Sequence, residues 1–171
     1  MENGTSLLQH NPEFLNMLAG EWYLTNDAGL RQARAQAKKL CHQADVLSGT
    51  EKSQVLSQLI PGATGLQTGR HFNCDYGFQI VCRGVFTAGC YLTILDGASV
   101  ETGDNVMAGD NVVIATVEHH KDPQKRLAGW QRARPVVIGS NVTIGNGVTI
   151  LPGTVIKDNT VIPDGAVAGR R

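Results

Sequence analysis

Isoleucine recurs at positions 138, 144, 150, 156 and 162, a strict six-residue period, and Val142, Val148, Thr154, Thr160 and Ala166 repeat it four residues later. Ile94, Val100, Val106 and Val112 form an earlier block of the same spacing, with glycine, aspartate or asparagine mostly between them. Neither a helix nor an antiparallel strand with its period of two accounts for such a run. A hexapeptide can instead supply one short strand and one turn. The apolar residue points inward, small residues fit the corners, and Gly-Asp-Asn or Gly-Ser-Asn makes the turn. Three such faces close one coil of a parallel β-helix, so the pattern predicts a mainly β solenoid over residues 62–171.

The first 61 residues have a different texture. Phe14, Leu15, Met17 and Leu18, then Leu30, Ala33, Ala37, Leu40 and Cys41, are spaced near three and four, which predicts a short amphipathic α-helical segment over 13 to about 60. Asn26 and Asp27 are candidate caps for a helix beginning near Ala28. Ser48 and Glu51 have capping-box spacing, and Pro61-Gly62 predicts the stop. Between the two hexapeptide blocks, residues 117–134 break the period with His119, His120, several lysines and arginines, Pro123 and Trp130. A polar insertion of this length cannot join the stack. It is expected to project as a loop, and loops on rigid scaffolds often carry function.

Fifteen basic residues balance fifteen acidic ones in the 171-residue chain, which argues against a nucleic-acid partner. The opening residues lack a basic n-region and an apolar core, and no apolar stretch is long enough for a membrane span, so no membrane partner and a cytoplasmic location are expected. Cys41, Cys74, Cys82 and Cys90 lack CxxC spacing and are expected as free thiols. No metal is expected either. A metal-dependent site on such a coil would need three gathered histidines, and of His71, His119 and His120 two are adjacent.

Several segments together carry a family resemblance: Met17-Leu-Ala-Gly-Glu-Trp-Tyr23, Phe72-Asn-Cys-Asp-Tyr-Gly77, Leu92-Thr-Ile-Leu-Asp96, Gly103-Asp-Asn105 and Pro135-Val-Val-Ile-Gly-Ser-Asn-Val142. In this order, with the histidine insertion, the chain resembles the hexapeptide-repeat O-acetyltransferases of the maltose, galactoside and nodulation type. The resemblance implies a left-handed coil, a homotrimer with sites between subunits, and acetyl transfer from acetyl-CoA to a hydroxyl of a sugar or other small acceptor. A hydroxyl needs a base as it attacks a thioester, and the resemblance places His119 in that role. It places Asp75 and Arg34 at the acceptor, and Gly89 where the family has an asparagine near the catalytic histidine. Trp130 is a candidate cover for the acceptor or the pantetheine arm. Asn146, after Gly145, falls where a backbone N–H serves the thioester oxyanion, and Arg170 is a candidate contact for a CoA phosphate. Glu118 is a candidate partner for an imidazole, His120 reads as a solvated loop residue, and Asp27 could stand in for a family aspartate that is Thr25 here. Gly89 and the stop at Arg171 leave an alternative open, a catalytically impaired binding or structural protein of the same fold.

Overall fold

The structure is a computed structural model and describes residues 8–169. Three helices with one short strand among them come first: α1 (Pro12–Leu18), β1 (Tyr23–Leu24), α2 (Ala28–Asp45) and α3 (Gly49–Leu59). Asn11 caps α1 and Asp27 caps α2, each side chain accepting a backbone N–H at 3.0 Å, from Phe14 and Leu30. Ser48 precedes α3 without any side-chain cap bond, so the capping box predicted there does not form.

The coil then runs β2 (Gly62–Thr68), β3 (Asn73–Cys74), β4 (Ile80–Ala88), β5 (Thr93–Leu95), β6 (Val100–Thr102), β7 (Val106–Ala108) and β8 (Val113–Ala115). An excursion follows through β9 (Val117–His119), α4 (Pro123–Leu127) and β10 (Trp130–Ala133). The coil resumes with β11 (Val136–Ile138), β12 (Thr143–Ile144), β13 (Thr149–Ile150), β14 (Val155–Ile156), β15 (Val161–Ile162) and β16 (Val167–Ala168).

All coil pairings are parallel, and they fall on three faces. The first face stacks the start of β4 with β6, β11 and β14; the second stacks the end of β4 with β7, β12 and β15. The third is a five-stranded sheet in the order β16-β13-β8-β5-β3. β2 and β4 run on through the first corner, which joins the first two faces into one sheet. Ile138, Ile144, Ile150, Ile156 and Ile162 all point inward and are at most 7% exposed. Each buried side chain of this size stabilises the fold by roughly 1.5–3 kcal/mol. α2 and α3 cover the first coil, since Ala37, Leu40, Cys41, Ala44, Leu56 and Leu59 share one continuous core with the coil.

The corners follow a single chemical rule. At the corner between the second and third faces the Cys90 N–H donates to Asp110 Oδ1, the Asp110 N–H to Asn146 Oδ1, and the Asn146 N–H to Asp164 Oδ1, at 2.7–2.8 Å. Partners are 20 residues apart in the first step, 36 across the excursion and 18 in the last. A second ladder joins Val85 to Asp104, Asp104 to Ser140, and Ser140 to Asp158. Beside it Asn105, Asn141 and Asn159 hold left-handed backbone at φ 53–60°, and their amides bond to one another from coil to coil. Asparagine tolerates that backbone and supplies the bond.

Asn141→Ala therefore loses both advantages and should lower stability by about 1–2 kcal/mol, while Asn141→Gly, which keeps the backbone freedom, should cost less. Urea denaturation of the two variants checks the order.

Candidate active site

The excursion is a β-hairpin rather than an irregular loop. Its neck is closed where the Arg134 N–H donates to the Thr116 carbonyl at 2.7 Å. Buried Thr116 donates its hydroxyl to the Leu95 carbonyl and accepts the Ala98 N–H, which ties the neck to the coil below. At the tip Asp122 caps α4 by accepting the Gln124 N–H, and Pro123 takes the first helical position, where its missing N–H costs nothing.

β10 pairs antiparallel with β9 and with β1, so the hairpin and the N-terminal segment make one three-stranded sheet. Side chains alternate across a sheet, and the register sorts the candidates into two rows. The inner row is Tyr23, Gln131 and His119, in direct cross-strand register. The outer row is Trp22, Arg132 and Glu118, with Trp130 and His120 on the same outer side.

On the inner row Gln131 donates its amide to the Tyr23 hydroxyl at 2.5 Å. Tyr23 is fully buried, and burial pushes its phenol up to about 12. Asp75, Arg34 and Asp96 are close enough to act on it electrostatically. Arg34 reaches from α2, donating to the Tyr76 hydroxyl at 2.7 Å and the Thr25 carbonyl at 2.5 Å. Buried Asp96 accepts the N–H groups of Asp75, Tyr76 and Gly77, and burial pushes its carboxyl up to about 6 against their pull. Asp75 itself is half-buried, and its carboxylate has no hydrogen-bond partner among the described residues. Burial raises its pKa, against the charges of Arg34 and Lys38. His119 is exposed, and its ring likewise bonds to no described residue. One edge of the coil thus presents an open imidazole and an unpartnered carboxylate beside a fixed amide and phenol.

The outer row holds what the sequence reading assigned elsewhere. Glu118 accepts from Arg132 Nε and lies 3.2 Å from the Arg134 guanidinium, on the opposite side of the sheet from His119, so it orients no imidazole. His120 is not merely solvated. Its ring lies 4.4 Å from that of Trp22, and its Nδ1 accepts the Asp122 N–H. Trp130 shares that outer side by alternation, facing away from His119. Asp27 is spent on the α2 cap and on the Asn11 amide.

Gly89, Gly145 and Asn146 sit on another edge of the coil, the ladder between the second and third faces. A Cβ at Gly89 would lie 2.1 Å from Asp110 Oδ1, and one at Gly145 would lie 2.4 Å from Asp164 Oδ1, so both positions exclude a side chain. The Asn146 N–H is donated to Asp164 at 2.8 Å and is not open to an oxyanion in this arrangement. Arg170 lies outside the described residues. Gln131 and Tyr23 escaped the sequence reading. Their signal was the alternation of Trp130–Ala133 facing Val117–His119, which becomes visible only once the insertion is known to be a hairpin.

Among the described residues, no group of three His, Cys, Asp or Glu side chains is placed to hold a metal ion, and no helix is long and apolar enough to cross a membrane. The four cysteines are free thiols, with Cys41 and Cys74 Sγ atoms 3.9 Å apart.

Residues 135–170 match the bacterial transferase hexapeptide (six repeats) family, and residues 16–64 match the maltose acetyltransferase hexapeptide capping motif. Nodulation protein L of Rhizobium meliloti is 37% identical over 135 residues, covering 74% of this chain and 71% of that protein. The chain belongs to the hexapeptide-repeat O-acetyltransferases. Among solved structures, a maltose O-acetyltransferase from Clostridium difficile 630 superposes with a TM-score of 0.87 at 36% identity, covering 92% of this chain and 87% of that one. A galactoside acetyltransferase in complex with coenzyme A superposes with a TM-score of 0.80 at 27% identity, covering 90% and 79%. This acetyltransferase is matched on both sides of the hairpin, whose residues lie between the two matched segments.

The cap that starts α2, the helix bearing Arg34, titrates. The N–H of Leu30 holds the Asp27 carboxyl below the usual carboxylate range. A depressed pKa stabilises the fold at pH above the ordinary value near 4, and that stability is lost as pH falls through the folded pKa. Asp27→Ala should cost about 1 kcal/mol at pH 7 and progressively less in acid, as measured by thermal melts across pH 2–7.

Proposed function

We propose that this chain transfers the acetyl group of acetyl-CoA to a hydroxyl of a sugar or similar small acceptor, with His119 as general base. The observation that carries the reading is the inner row. An open imidazole stands directly across from a Gln131 amide anchored on Tyr23, at the coil edge that also bears the unpartnered Asp75 carboxylate. An acceptor-only carboxylate suits a ligand rich in hydroxyl donors. The named activities of the maltose and galactoside relatives, and the coenzyme A and acetyl-CoA held by two of the solved neighbours, support the same substrates here.

In this reading the acceptor oxygen attacks the thioester carbonyl carbon while His119 takes its proton. The tetrahedral intermediate then expels the CoA sulfur, which takes that proton from the imidazolium as it leaves. Gln131, across the strand from His119 and anchored on Tyr23, sets a neutral amide rather than a second charge in the row beside the imidazole. Arg34 acts at one remove, since its bonds go to Tyr76 and Thr25, and it fixes the wall beside Asp75. His119 and the Gly89–Asn146 ladder lie on different edges of one chain. A homotrimer in which a neighbouring copy brings its ladder edge to His119 would complete the site between subunits.

His119→Ala should lower kcat by about 10²–10⁴-fold and leave the KM for acetyl-CoA nearly unchanged in an assay of CoA thiol release over a sugar panel. Wild-type turnover by this variant would remove His119 as the base. The acceptor KM of the wild type should also rise as pH falls through the raised Asp75 pKa, because the protonated carboxyl loses acceptor capacity, whereas Asp75→Asn should show a higher KM without that pH dependence.

A further inference from the structure

The outer side of the hairpin sheet is more tightly braced than a solvent face needs to be. Trp22 contacts two groups from the hairpin, with the His120 ring at 4.4 Å and the Arg132 guanidinium carbon at 4.7 Å from its own ring. Arg132 is itself pinned by Glu118, which also draws in Arg134 at the hairpin neck. Trp22 adjoins Tyr23 in the chain, and Arg132 adjoins Gln131. His120 and Glu118 flank His119 on either side. Every member of the outer cluster is therefore the immediate neighbour of a member of the inner row, or closes the neck. The hairpin's other main-chain ties to the N-terminal segment are the short β1–β10 pairing and the Thr25 N–H to Gly129. Two residues of strand pairing fix register but hold twist weakly, so a side-chain clamp governs how far the far strand, with His119 on it, can rotate.

We propose that Trp22 is a positioning residue for His119. Held by its contacts with both His120 and Arg132, it sets the pitch of the outermost strand and so the direction in which the His119 imidazole faces. The inference rests on His119 being the base, and it assigns a role to the outer face that the reaction itself does not use. Aromatic and guanidinium stacking of this kind is geometrically specific, so a smaller ring can partly replace the indole and a methyl group cannot. A misplacement on the order of 1 Å at the reacting group costs about 10²-fold in rate.

The test uses the full chain with Trp22→Ala, Trp22→Phe and His120→Ala, and maltose as the acceptor probe. Trp22→Ala should lose roughly 10- to 100-fold in kcat. Its KM for acetyl-CoA and its far-UV circular dichroism should stay near wild type. Trp22→Phe should recover most of the rate, and His120→Ala, which removes one side of the clamp, should fall between. NMR should show the ring chemical shifts of the His119 imidazole moving in Trp22→Ala, and amides of β9 should exchange faster. The proposal is overturned if the His119 resonances and β9 exchange are unchanged in both Trp22→Ala and His120→Ala, or if Trp22→Phe is as impaired as Trp22→Ala. If His119→Ala keeps wild-type turnover, the base assignment fails instead, and the NMR and exchange results still decide whether Trp22 positions the strand.

Discussion

The corner bond between successive coils is the interaction on which the rest of this structure depends. At each such step a backbone N–H that the turn would leave unpaired is donated to an aspartate, asparagine or serine side chain of the next coil. The requirement propagates downward, because the accepting side chain occupies the space where a Cβ would stand on the residue below. Gly84, Gly89, Gly103, Gly109, Gly139 and Gly145 are glycine for that reason. Glycine and acceptor thus return together at the two laddered corners of the middle coils, as Gly103-Asp104, Gly109-Asp110, Gly139-Ser140 and Gly145-Asn146, and this part of the repeat is the trace of a bond between coils.

The ladder also survives interruption. Asp110 finds Asn146, 36 residues on, as readily as Asn146 finds Asp164, 18 on, so the hairpin is inserted without disturbing the coil at that corner. A rigid edge thereby gains a polar arm made of side chains that a hexapeptide has no room for. The N-terminal segment then serves two structural purposes. α2 and α3 cover the apolar end of the first coil, and β1 reaches the hairpin to complete the sheet that carries His119.

Most of the fold was legible from residues because its signal is local and repeated. The five isoleucines are buried as their period requires, and Asn141 falls in the Gly-Ser-Asn turn that the repeat calls for. The site was legible only in part, for a physical reason: its register is set by pairing between segments more than a hundred residues apart, Tyr23 with Gln131. Without that pairing the facing of Trp130, Glu118 and His120 could not be deduced, and all three proved to lie on the side away from His119. Gly89 has a structural reading of its own. Where the family resemblance puts an asparagine, it is a corner whose geometry excludes any side chain while Asp110 holds its place. The Asn146 N–H, assigned to an oxyanion by resemblance, is spent on the same kind of bond.

The proposed chemistry requires the inner row of the hairpin sheet to hold His119 where an acceptor hydroxyl can give it a proton. A crystal structure with coenzyme A and an acceptor sugar bound together tests this most directly. The expected result is a sugar hydroxyl within about 2.6–3.2 Å of a His119 ring nitrogen, Asp75 accepting from another hydroxyl, and Gln131 still bonded to Tyr23. A sugar held at a different edge of the coil, with the His119 ring facing solvent, would contradict it.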